Sequence, residues 1–535
     1  MPRKSTARDF ITIDAETDPF KEGRVPRPFI WGCYHGKESS YFTFETAEAL
    51  LTHLADYKAI VYAHNGGKFD FHYLRDFIDS DVPIMVIAGR LASFRIGDCE
   101  FRDSMNILVN PLRAFAKEQI DYSKLEAAVR HRHMSEICAY LKSDCVNLWN
   151  TIDRYFNEYG RSLTQAGAAM RYWRKTYKVP MRVQNAGQSL RYRDFYYGGR
   201  VECFVTGHAR ANFSVVDLNS AYPKAMLERH PIAPDTVRSE HLPPEGQLQN
   251  AFVKLAAVAN GCFPFKDDNG RLTFPNDGQL REYAVSGWEL RAALELNAVK
   301  IYNILEVRHF TETVDFADYV MNFWEKRRQA KATGDKAADV FAKLFLNSLY
   351  GKFAADPEKY HEYVLCEDDN RIKWEREGYE EAAPWGRRSL YERPLPEAKH
   401  RYYNVATAAS ITGYVRAMLM QAMAACEGVL YCDTDSIAAR DVSRLPMGAD
   451  LGMWKLEMVG DEYAIAAKKT YAFHKSCALD DEPEWKIASK GVRLTHQEII
   501  RCARGEKVTH APSVPTYSIF KPQPYFTERV IQRTA

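Results

Sequence analysis

Acidic side chains occur in pairs at two widely separated places in the sequence, each directly after a short apolar run. Asp14 and Glu16 are two residues apart, and Asp433 and Asp435 lie in the run Tyr-Cys-Asp-Thr-Asp-Ser. On a strand, residues two apart point to the same face, so each pair could reach one cation. Without a cation such carboxylates would repel one another, and a divalent metal ion is therefore expected at each place. For Asp14 and Glu16 alone, a surface strand with alternating polar residues is the simpler interpretation.

Two later segments add acids to the first pair. Asp70 follows a glycine-rich turn at 64–69, and Tyr140 and Asp144 are four residues apart on one face of a predicted helix. Four carboxylates could hold two cations about 3.5–4 Å apart, which would activate a water and stabilise the leaving oxygen of a phosphodiester. Tyr140 could orient that water.

A second group surrounds the later pair. Asp217 follows a short apolar strand, and Lys343, Asn347 and Tyr350 are spaced by four and three residues along a predicted helix. A cation, an amide and a phenol in one stripe suit contacts to a triphosphate, a base and a sugar. The alternatives are a helix cap for Asp217 and an ordinary solvated helix face for the stripe.

These residues require elements that bring them together. Apolar runs predict strands at 10–13, 59–63, 214–216 and 428–432, and helical periodicity covers 134–156, 316–352 and 402–425. Alternating strands and helices up to about residue 160 predict one α/β domain.

Composition limits the function classes. The chain has 535 residues, enough for three or four domains, and its net charge of +2 gives no overall signature of nucleic-acid binding. Residues 161–210, however, carry ten Lys and Arg against two Asp and Glu, interleaved with aromatics. This pattern fits a surface that follows a phosphate backbone, although a solvated face beside an aromatic core explains it equally well. Residues 356–381 have ten acids against four bases and predict a partly exposed inserted subdomain.

Cysteine usage and hydropathy indicate the compartment. The 11 cysteines are scattered and include no Cys-x-x-Cys pair, which argues for a reducing compartment and against a disulfide scaffold or a zinc site. No apolar run reaches the ~18 residues that a membrane span needs, and the start of the chain does not look like a signal peptide. We therefore expect an intracellular protein without membrane contact.

The order of these motifs resembles that of family B DNA polymerases from residue 14 to about residue 493. The first group matches the proofreading motifs DxE, Nx₂₋₃FD and YxxxD. The second matches motifs A (DxxSxYP), B (KxxxNSxYG) and C (YxDTDS). The resemblance implies an α/β and α+β multidomain fold, with an RNase H-like 3′–5′ exonuclease domain and a right-hand polymerase of palm, fingers and thumb.

Within that family the chain resembles the protein-primed branch, which starts synthesis on a hydroxyl of a terminal protein. Compact length, the motif 196–199 (Tyr-Tyr-Gly-Gly) and extra sequence on both sides of motif B suggest this branch. The extra sequence resembles the two terminal-protein-region insertions. The amino-acid sequences of four segments are most similar to those of tectivirus-type phage polymerases: 14–21, 62–71, 404–413 and 487–491.

The resemblance implies a role for each matching residue. In the polymerase, two Mg²⁺ ions (with Mn²⁺ as a substitute) would be held by Asp217 and Asp435, with Asp433 beside them. The nucleotide would be bound by Tyr222, Lys343, Asn347 and Tyr350, and Tyr222 would exclude a 2′-hydroxyl. The exonuclease metals would be held by Asp14, Glu16, Asp70 and Asp144, with Tyr140 and Lys117 also catalytic. DNA would be contacted by Asn65, Phe69, Ser104, Tyr196, Gly198, Gly199, Lys469 and Tyr471.

One departure from related enzymes concerns Asp339, which stands where a second cationic residue can occur. Triphosphate binding is therefore expected to depend on Lys343 and on the basic run 326–328.

The implied domain organisation has eight segments. They are the exonuclease domain 1–160, a basic linker 161–210, palm 211–250, a first insertion 251–325, fingers 326–353, a second insertion 354–400, palm 401–490 and thumb 491–535.

The sequence therefore predicts a viral, protein-primed DNA polymerase with proofreading. Its expected partners are template and primer DNA, dNTPs and a terminal protein, and we expect a monomer in the cytoplasm of a bacterial host. Two alternatives remain open: a DNA-primed or primer-independent polymerase of the same family, and a non-catalytic DNA-binding replication factor.

Overall fold

The structure is a computed structural model that describes residues 9–115, 118–178, 182–232, 237–476 and 484–534. Lys117, one of the predicted catalytic residues, lies outside these residues. Within the described ranges, no helix combines the length and the apolar character needed to cross a membrane.

The α-helices and strands follow in chain order. Residues 9–115 form β1 (Phe10–Thr17), β2 (Pro28–His35), β3 (Ser40–Phe44), α1 (Ala47–Leu54), β4 (Ile60–Ala63), β5 (Pro83–Ile87), β6 (Arg90–Ile96) and β7 (Cys99–Asp103). Residues 118–232 form α2 (Met134–Tyr159), α3 (Gln165–Tyr177), α4 (Ala186–Arg193), β8 (Val201–Cys203), β9 (Gly207–Leu218), α5 (Ala221–Ala225) and β10 (His230–Pro231).

The second half contains the remaining elements. Residues 237–353 form β11 (Val237–Ser239), β12 (Ala251–Ala259), β13 (Phe265–Lys266), β14 (Leu272–Thr273), β15 (Leu280–Ser286), α6 (Gly287–Glu295), β16 (Val299–His309), β17 (Thr313–Val314), α7 (Ala317–Thr333) and α8 (Lys336–Phe353). Residues 354–534 form β18 (His361–Glu367), α9 (Arg371–Arg376), β19 (Glu380–Trp385), β20 (Arg388–Pro394), α10 (Val405–Ala425), β21 (Glu427–Asp433), β22 (Ser436–Asp441), β23 (Trp454–Ala467), β24 (Thr470–Lys475), β25 (Trp485–Ser489), α11 (His496–Ala503), β26 (Val508–His510) and β27 (Arg529–Ile531).

A mixed sheet organises the first domain. Its strand order is β19-β20-β18-β5-β6-β7-β4-β1-β2-β3, and β4 pairs in parallel with both β1 and β7. Apolar residues of α1, such as Leu50, pack on one face with Ile13 and Cys33. Leu141 and Cys145 of α2 cover the other face with Ile30. The central strand β1 is therefore almost entirely buried, as strands covered on both faces are.

Three strands of this sheet come from far along the chain. β18 pairs with β5 through Tyr363 opposite Ile84 and Val364 opposite Pro83, and β20 and β19 extend the sheet further. Residues of the predicted second insertion are thus attached to the first domain by backbone hydrogen bonds.

A seven-stranded antiparallel sheet organises the second half, in the order β25-β24-β23-β9-β22-β21-β8. The region 316–352 forms two helices instead of one, because Gly334 adopts a φ of 73° and Asp335 caps α8 by accepting from the Ala338 amide. Together α7, α8 and α10 supply much of the apolar core above this sheet.

Two further connections bind the parts together. A four-stranded sheet, β11-β16-β12-β15, carries α6, whose buried Glu289 pairs with the equally buried Arg416 of α10 at 2.7 Å. The C-terminal segment returns to the first domain, where Ile519 is buried in its core and the Tyr517 hydroxyl lies 2.7 Å from that of Tyr73.

Candidate active sites

Three neighbouring strands position the acids of the second group. Asp217, near the end of β9, lies opposite Ser436 of β22, which in turn lies opposite Asp433 of β21. Asp435 occupies the tight turn between β21 and β22, where its amide donates to the Asp433 carbonyl at 2.6 Å. The Asp435 carbonyl accepts from the Leu218 amide at 2.7 Å. These pairings hold all three carboxylates at one edge of the sheet.

The acids at this edge affect one another's protonation. Burial raises the pKa of Asp435 to about 7, and the neighbouring Asp217 and then Asp433 add to the shift. Burial and the nearby Glu457 raise the pKa of Asp217 to about 6, against the opposing effect of several lysines. The raised pKa values show that these crowded carboxylates resist ionisation. Their oxygen atoms are ligands that suit Mg²⁺ or Mn²⁺, and such an ion would compensate their negative charge.

Lys469 lies within this cluster. Its ammonium group donates to both Asp433 carboxylate oxygens at 2.6 Å, and its amide donates to the Tyr431 hydroxyl at 3.0 Å. Tyr471, two residues on, packs against the Tyr431 ring at 4.9 Å. The predicted DNA-contacting pair Lys469 and Tyr471 is therefore adjacent to the predicted metal site, with Lys469 bound to one of its acids.

Two stacked tyrosines lie beside the carboxylates. The rings of Tyr222 and Tyr350 are 4.1 Å apart and nearly parallel, at 8°. Asp435 and Tyr196 both act electrostatically on each of them, and burial raises the pKa of both phenols. The predicted nucleotide-binding tyrosines from motifs A and B thus form one surface next to Asp435.

The polar stripe of α8 is exposed near the same acids. Lys343 lies close enough to Asp217 to lower its pKa, and Asn347 donates to the Lys343 carbonyl at 2.8 Å. Asp339 pairs with a basic residue of α7: Arg327 donates to its carboxylate at 2.9 Å. This ion pair explains why an acid occupies position 339. The sequence does not indicate this ion pair, because its partners belong to different helices.

The basic run 326–328, whose contact with triphosphate stays a prediction, forms ion pairs within the protein. Each of its side chains is already paired with a carboxylate: Lys326 with Glu158, Arg327 with Asp339, and Arg328 with Glu325.

The motif at 196–199 supports the turn that carries Asp435. A Cβ atom on Gly199 would lie 2.6 Å from the Thr434 hydroxyl, and only glycine allows this approach. The carbonyls of Tyr197 and Gly198 both accept from the buried Arg416. Of the two glycines predicted as DNA contacts, Gly199 thus packs directly against this turn, whereas Gly198 is exposed.

The first group of acids lines a cavity of about 520 Å³. Its walls include these predicted residues: Asp14, Glu16, Asn65, Phe69, Asp70 and Tyr140. Asp144 is buried one helical turn after Tyr140 and acts electrostatically on it, as does Glu16. The cavity also contains Arg493, Ser513 and Val514 from the C-terminal part of the chain, which the sequence did not indicate.

The glycine-rich turn is held by residues that sequence analysis did not identify. The Asp103 carboxylate accepts from the amides of Asn65 and Gly67, and Arg90 donates to both Asp103 and the Asn65 side chain at 2.7 Å. A Cβ on Gly67 would lie 2.2 Å from the Leu91 carbonyl. The signal available in the sequence was an acid, Asp103, at the end of the alternating run that forms β7.

Two predicted DNA contacts have different surroundings. Ser104 is fully buried behind the turn, where it donates to the Ala63 carbonyl and lies 3.0 Å from His64 Nδ1. Phe69 borders the cavity and packs edge-on against Tyr517 at 5.4 Å. Only Phe69 of these two lines the cavity.

Known proteins resemble this chain over most of its length. Residues 117–411 match the family model described as DNA polymerase type B, organellar and viral. The DNA-directed DNA polymerase of Enterobacteria phage PRD1 is 37% identical over 93% of this chain and 89% of its own length. The DNA polymerase of Bacillus phage phi29 is 24% identical over 69% of this chain and 66% of its own length.

Solved structures support the fold. Phi29 DNA polymerase complexed with primer-template DNA and incoming nucleotide substrates aligns with a TM-score of 0.75, at 18% identity, over 98% of this chain and 100% of that chain. The predicted multidomain fold, with an exonuclease domain joined to palm, fingers and thumb, is thereby confirmed. With its family match and its relative in phage PRD1, the chain belongs to the type B DNA polymerases of organelles and viruses.

Proposed function

We propose that this DNA-directed DNA polymerase performs two-metal-ion nucleotidyl transfer at Asp217 and Asp435. The observation that carries the proposal is the register that places both carboxylates at one sheet edge, where burial raises both pKa values. When bound, two Mg²⁺ ions would activate the primer hydroxyl and neutralise the leaving pyrophosphate. Asp433 and Lys469 position this edge through their ion pair.

The nucleotide-binding roles follow from the surfaces around the acids. Lys343 supplies a positive charge to the triphosphate, and Asn347 and Tyr350 complete the pocket on the same helix face. Tyr222, stacked on Tyr350, supports the sugar and excludes a 2′-hydroxyl. Tyr196, which lies near both tyrosines, and the glycines at 198–199 would contact DNA beside this pocket.

A proofreading 3′–5′ exonuclease is proposed for the cavity of the first domain. Asp14, Glu16, Asp70 and Asp144 would hold its metal ions, and Tyr140 would orient the attacking water. Asn65 and Phe69 would hold the 3′ end, with Ser104 supporting the turn from behind. Lys117 is retained as a proposed contributor.

Extension of a primed template is the direct test of the polymerase proposal. Purified full-length chain should extend the primer with dNTPs only when Mg²⁺ or Mn²⁺ is present. Failure under both metals would favour the alternative of a non-catalytic DNA-binding replication factor.

Protein priming is the finer proposal, and it rests on the two insertions and the motif at 196–199. The chain would act as a monomer in the cytoplasm of a bacterial host, with a terminal protein as its partner. Incubation with a candidate terminal protein, Mn²⁺ and each labelled dNTP in turn should give a nucleotide–protein adduct. Absence of an adduct with every dNTP would favour a DNA-primed or primer-independent enzyme.

The acidic segment 356–381 is proposed to meet a basic partner protein, because it carries ten acids against four bases. Reversing charges at its exposed positions should weaken priming while leaving extension of a DNA primer unchanged. An unchanged priming reaction would rule out this role.

A further inference from the structure

Three potential metal ligands meet where α1 packs on β2, next to the edge strand β3 of the first sheet. Cys33 and His35 are two residues apart on β2, and His53 is in the last turn of α1. One donor atom from each lies within 4.8 Å of the other two. His35 Nε2 is 3.4 Å from Cys33 Sγ and 3.0 Å from His53 Nε2.

Hydrogen bonds alone do not account well for the close approach of these three side chains. A ring nitrogen carries either one hydrogen or one lone pair, yet His35 Nε2 faces both the thiol and the second imidazole. Metal–ligand bonds of about 2.0–2.3 Å in tetrahedral geometry separate neighbouring donors by roughly 3.3–3.7 Å. The observed spacing needs only small side-chain shifts to reach that geometry.

The surroundings favour ligation by neutral imidazoles. Cys33 is 0% exposed and His35 is 4% exposed, and the rings of Tyr57 and Phe42 pack on the two histidines at 4.5 and 4.6 Å. Burial lowers the pKa of both histidines. The same burial raises the pKa of the Cys33 thiol to about 12, a shift that a bound cation would oppose.

This cluster is separate from the proposed exonuclease metals. On β1, Asp14 lies opposite Gly32 of β2, whereas Ile13 lies opposite Cys33. Because successive residues point to opposite faces, Cys33 shares the α1 face with Ile13, while Asp14 points to the α2 face. The two groups of potential ligands are therefore on opposite sides of one sheet.

We propose that Cys33, His35 and His53 form a structural transition-metal site, best suited to Zn²⁺, that fastens α1 to the edge of the sheet. A thiolate with two imidazoles is a borderline-soft donor set typical of zinc. On binding, the Cys33 thiol releases its proton to solvent, the sulfur and two ring nitrogens donate electron pairs, and no group changes oxidation state. The fourth position is open to water or to Glu38, whose charge acts on both histidines.

The spacing of cysteines in the sequence argued against a zinc site. Zinc sites are indicated in a sequence by Cys-x-x-Cys pairs, whereas here one cysteine is joined by a histidine on its own strand and another on a helix. Chain folding creates the ligand set.

Cobalt spectroscopy tests the site. Full-length chain stripped with a chelator is titrated with Co²⁺ in excess Mg²⁺, which occupies the carboxylate sites. We expect one equivalent of Co²⁺ to give a thiolate-to-cobalt charge-transfer band and intense tetrahedral d–d bands, and Zn²⁺ to displace them. Cys33→Ser should abolish the charge-transfer band. Cys99→Ser is the matched control, because this buried thiol donates to the Leu54 and Tyr57 carbonyls and is not among the three ligands.

A second variant covers the possibility that Cys33→Ser does not fold. His53→Gln changes a half-buried side chain on α1 and should weaken Co²⁺ binding at least about tenfold, as loss of one ligand removes more than 1.4 kcal/mol. Zn²⁺ should raise the melting temperature of the wild type and of Cys99→Ser, but not that of His53→Gln. A wild type without the charge-transfer band, or a band that persists in folded Cys33→Ser, would overturn the proposal.

Discussion

In the palm, Asp217 and Asp433 lie on the two strands that flank β22, and Asp435 lies in the turn between β21 and β22. The acids of the first domain instead come from a strand, the segment after a glycine-rich turn, and a helix. The palm acids are close because of backbone hydrogen bonds within one sheet. The first-domain acids are close because α2 packs across the sheet and Asp103 holds the glycine-rich turn.

This contrast shows two ways of building a carboxylate cluster. The palm cluster depends on the hydrogen-bonded register of β9, β22 and β21 and on the tight approach of Gly199 to Thr434. The first-domain cluster depends on the packing of α2 against the sheet, and its cavity is also lined by Arg493 of the C-terminal part. The two sites should therefore respond independently to substitutions.

The largest expected effect separates the two sites completely. Asp435→Ala should lower dNTP incorporation by ~10³-fold or more, since loss of a metal ligand costs several kcal/mol of charge stabilisation. Degradation of single-stranded DNA should persist. Asp14→Ala should give the reverse result, and loss of both activities in either folded variant would contradict the existence of two sites.

A matched pair of glycine variants tests the close backbone contacts that position the two carboxylate clusters. Gly67→Ala places a Cβ 2.2 Å from the Leu91 carbonyl, and Gly199→Ala places one 2.6 Å from Thr434 Oγ1. A displacement approaching 1 Å costs about 10²-fold in rate, so Gly67→Ala should impair exonuclease activity and Gly199→Ala should impair polymerisation. The measurement is the steady-state rate of both reactions for both variants. If each variant slowed both reactions equally, the two clusters would not be held in place independently.

A smaller effect is expected from the lysine that holds Asp433. Lys469→Ala removes two charge-assisted hydrogen bonds and should slow incorporation about tenfold. Lys469→Arg should recover part of the rate. Lys468→Ala is the control, because Lys468 contacts the Leu272 carbonyl instead; an equal loss in this control would indicate a general charge effect on DNA binding.

The mildest test varies pH. Because the folded-state pKa values of Asp217 and Asp435 are raised to about 6 and 7, both acids take up protons at a pH where ordinary carboxylates are ionised. Their protonation stabilises the metal-free fold at low pH, and this contribution is lost as pH rises through about 6–7. The Mg²⁺ concentration for half-maximal incorporation should therefore increase as pH falls from about 8 to 6, and Mg²⁺ should raise the melting temperature more at the higher pH. A requirement for Mg²⁺ that is independent of pH would contradict the raised pKa values.

Much of the fold and of both sites was predictable because the signals are local. The spacing of Asp433 and Asp435 identifies a strand and turn, and the four-residue step from Tyr140 to Asp144 identifies one helix face. The order of the motifs then predicted the family, which the comparisons confirm. The site roles and domain boundaries stay predictions.

Other features required knowledge of which surfaces meet. The sequence offered no reason for an acid at 339, which pairs with Arg327 across two helices. It placed residues 354–400 in an insertion, but not as strands that extend the sheet of the first domain. Lys469 was expected on DNA, and its ion pair with Asp433 depends on the turn between β23 and β24 reaching the end of β21.

Short-range spacing thus determines the chemistry available to this chain, since a strand or helix places residues two, three or four apart on one face wherever it lies. Tertiary structure decides which of those faces share a site. It buries Asp435 beside Asp217 and raises their pKa values, brings Arg493 to the wall of the first-domain cavity, and joins Cys33, His35 and His53 into a candidate metal site. The physical reason is that a side chain is buried, or lies near another charge, only where two surfaces come into contact. Such contacts between distant parts of the chain form only when the chain folds.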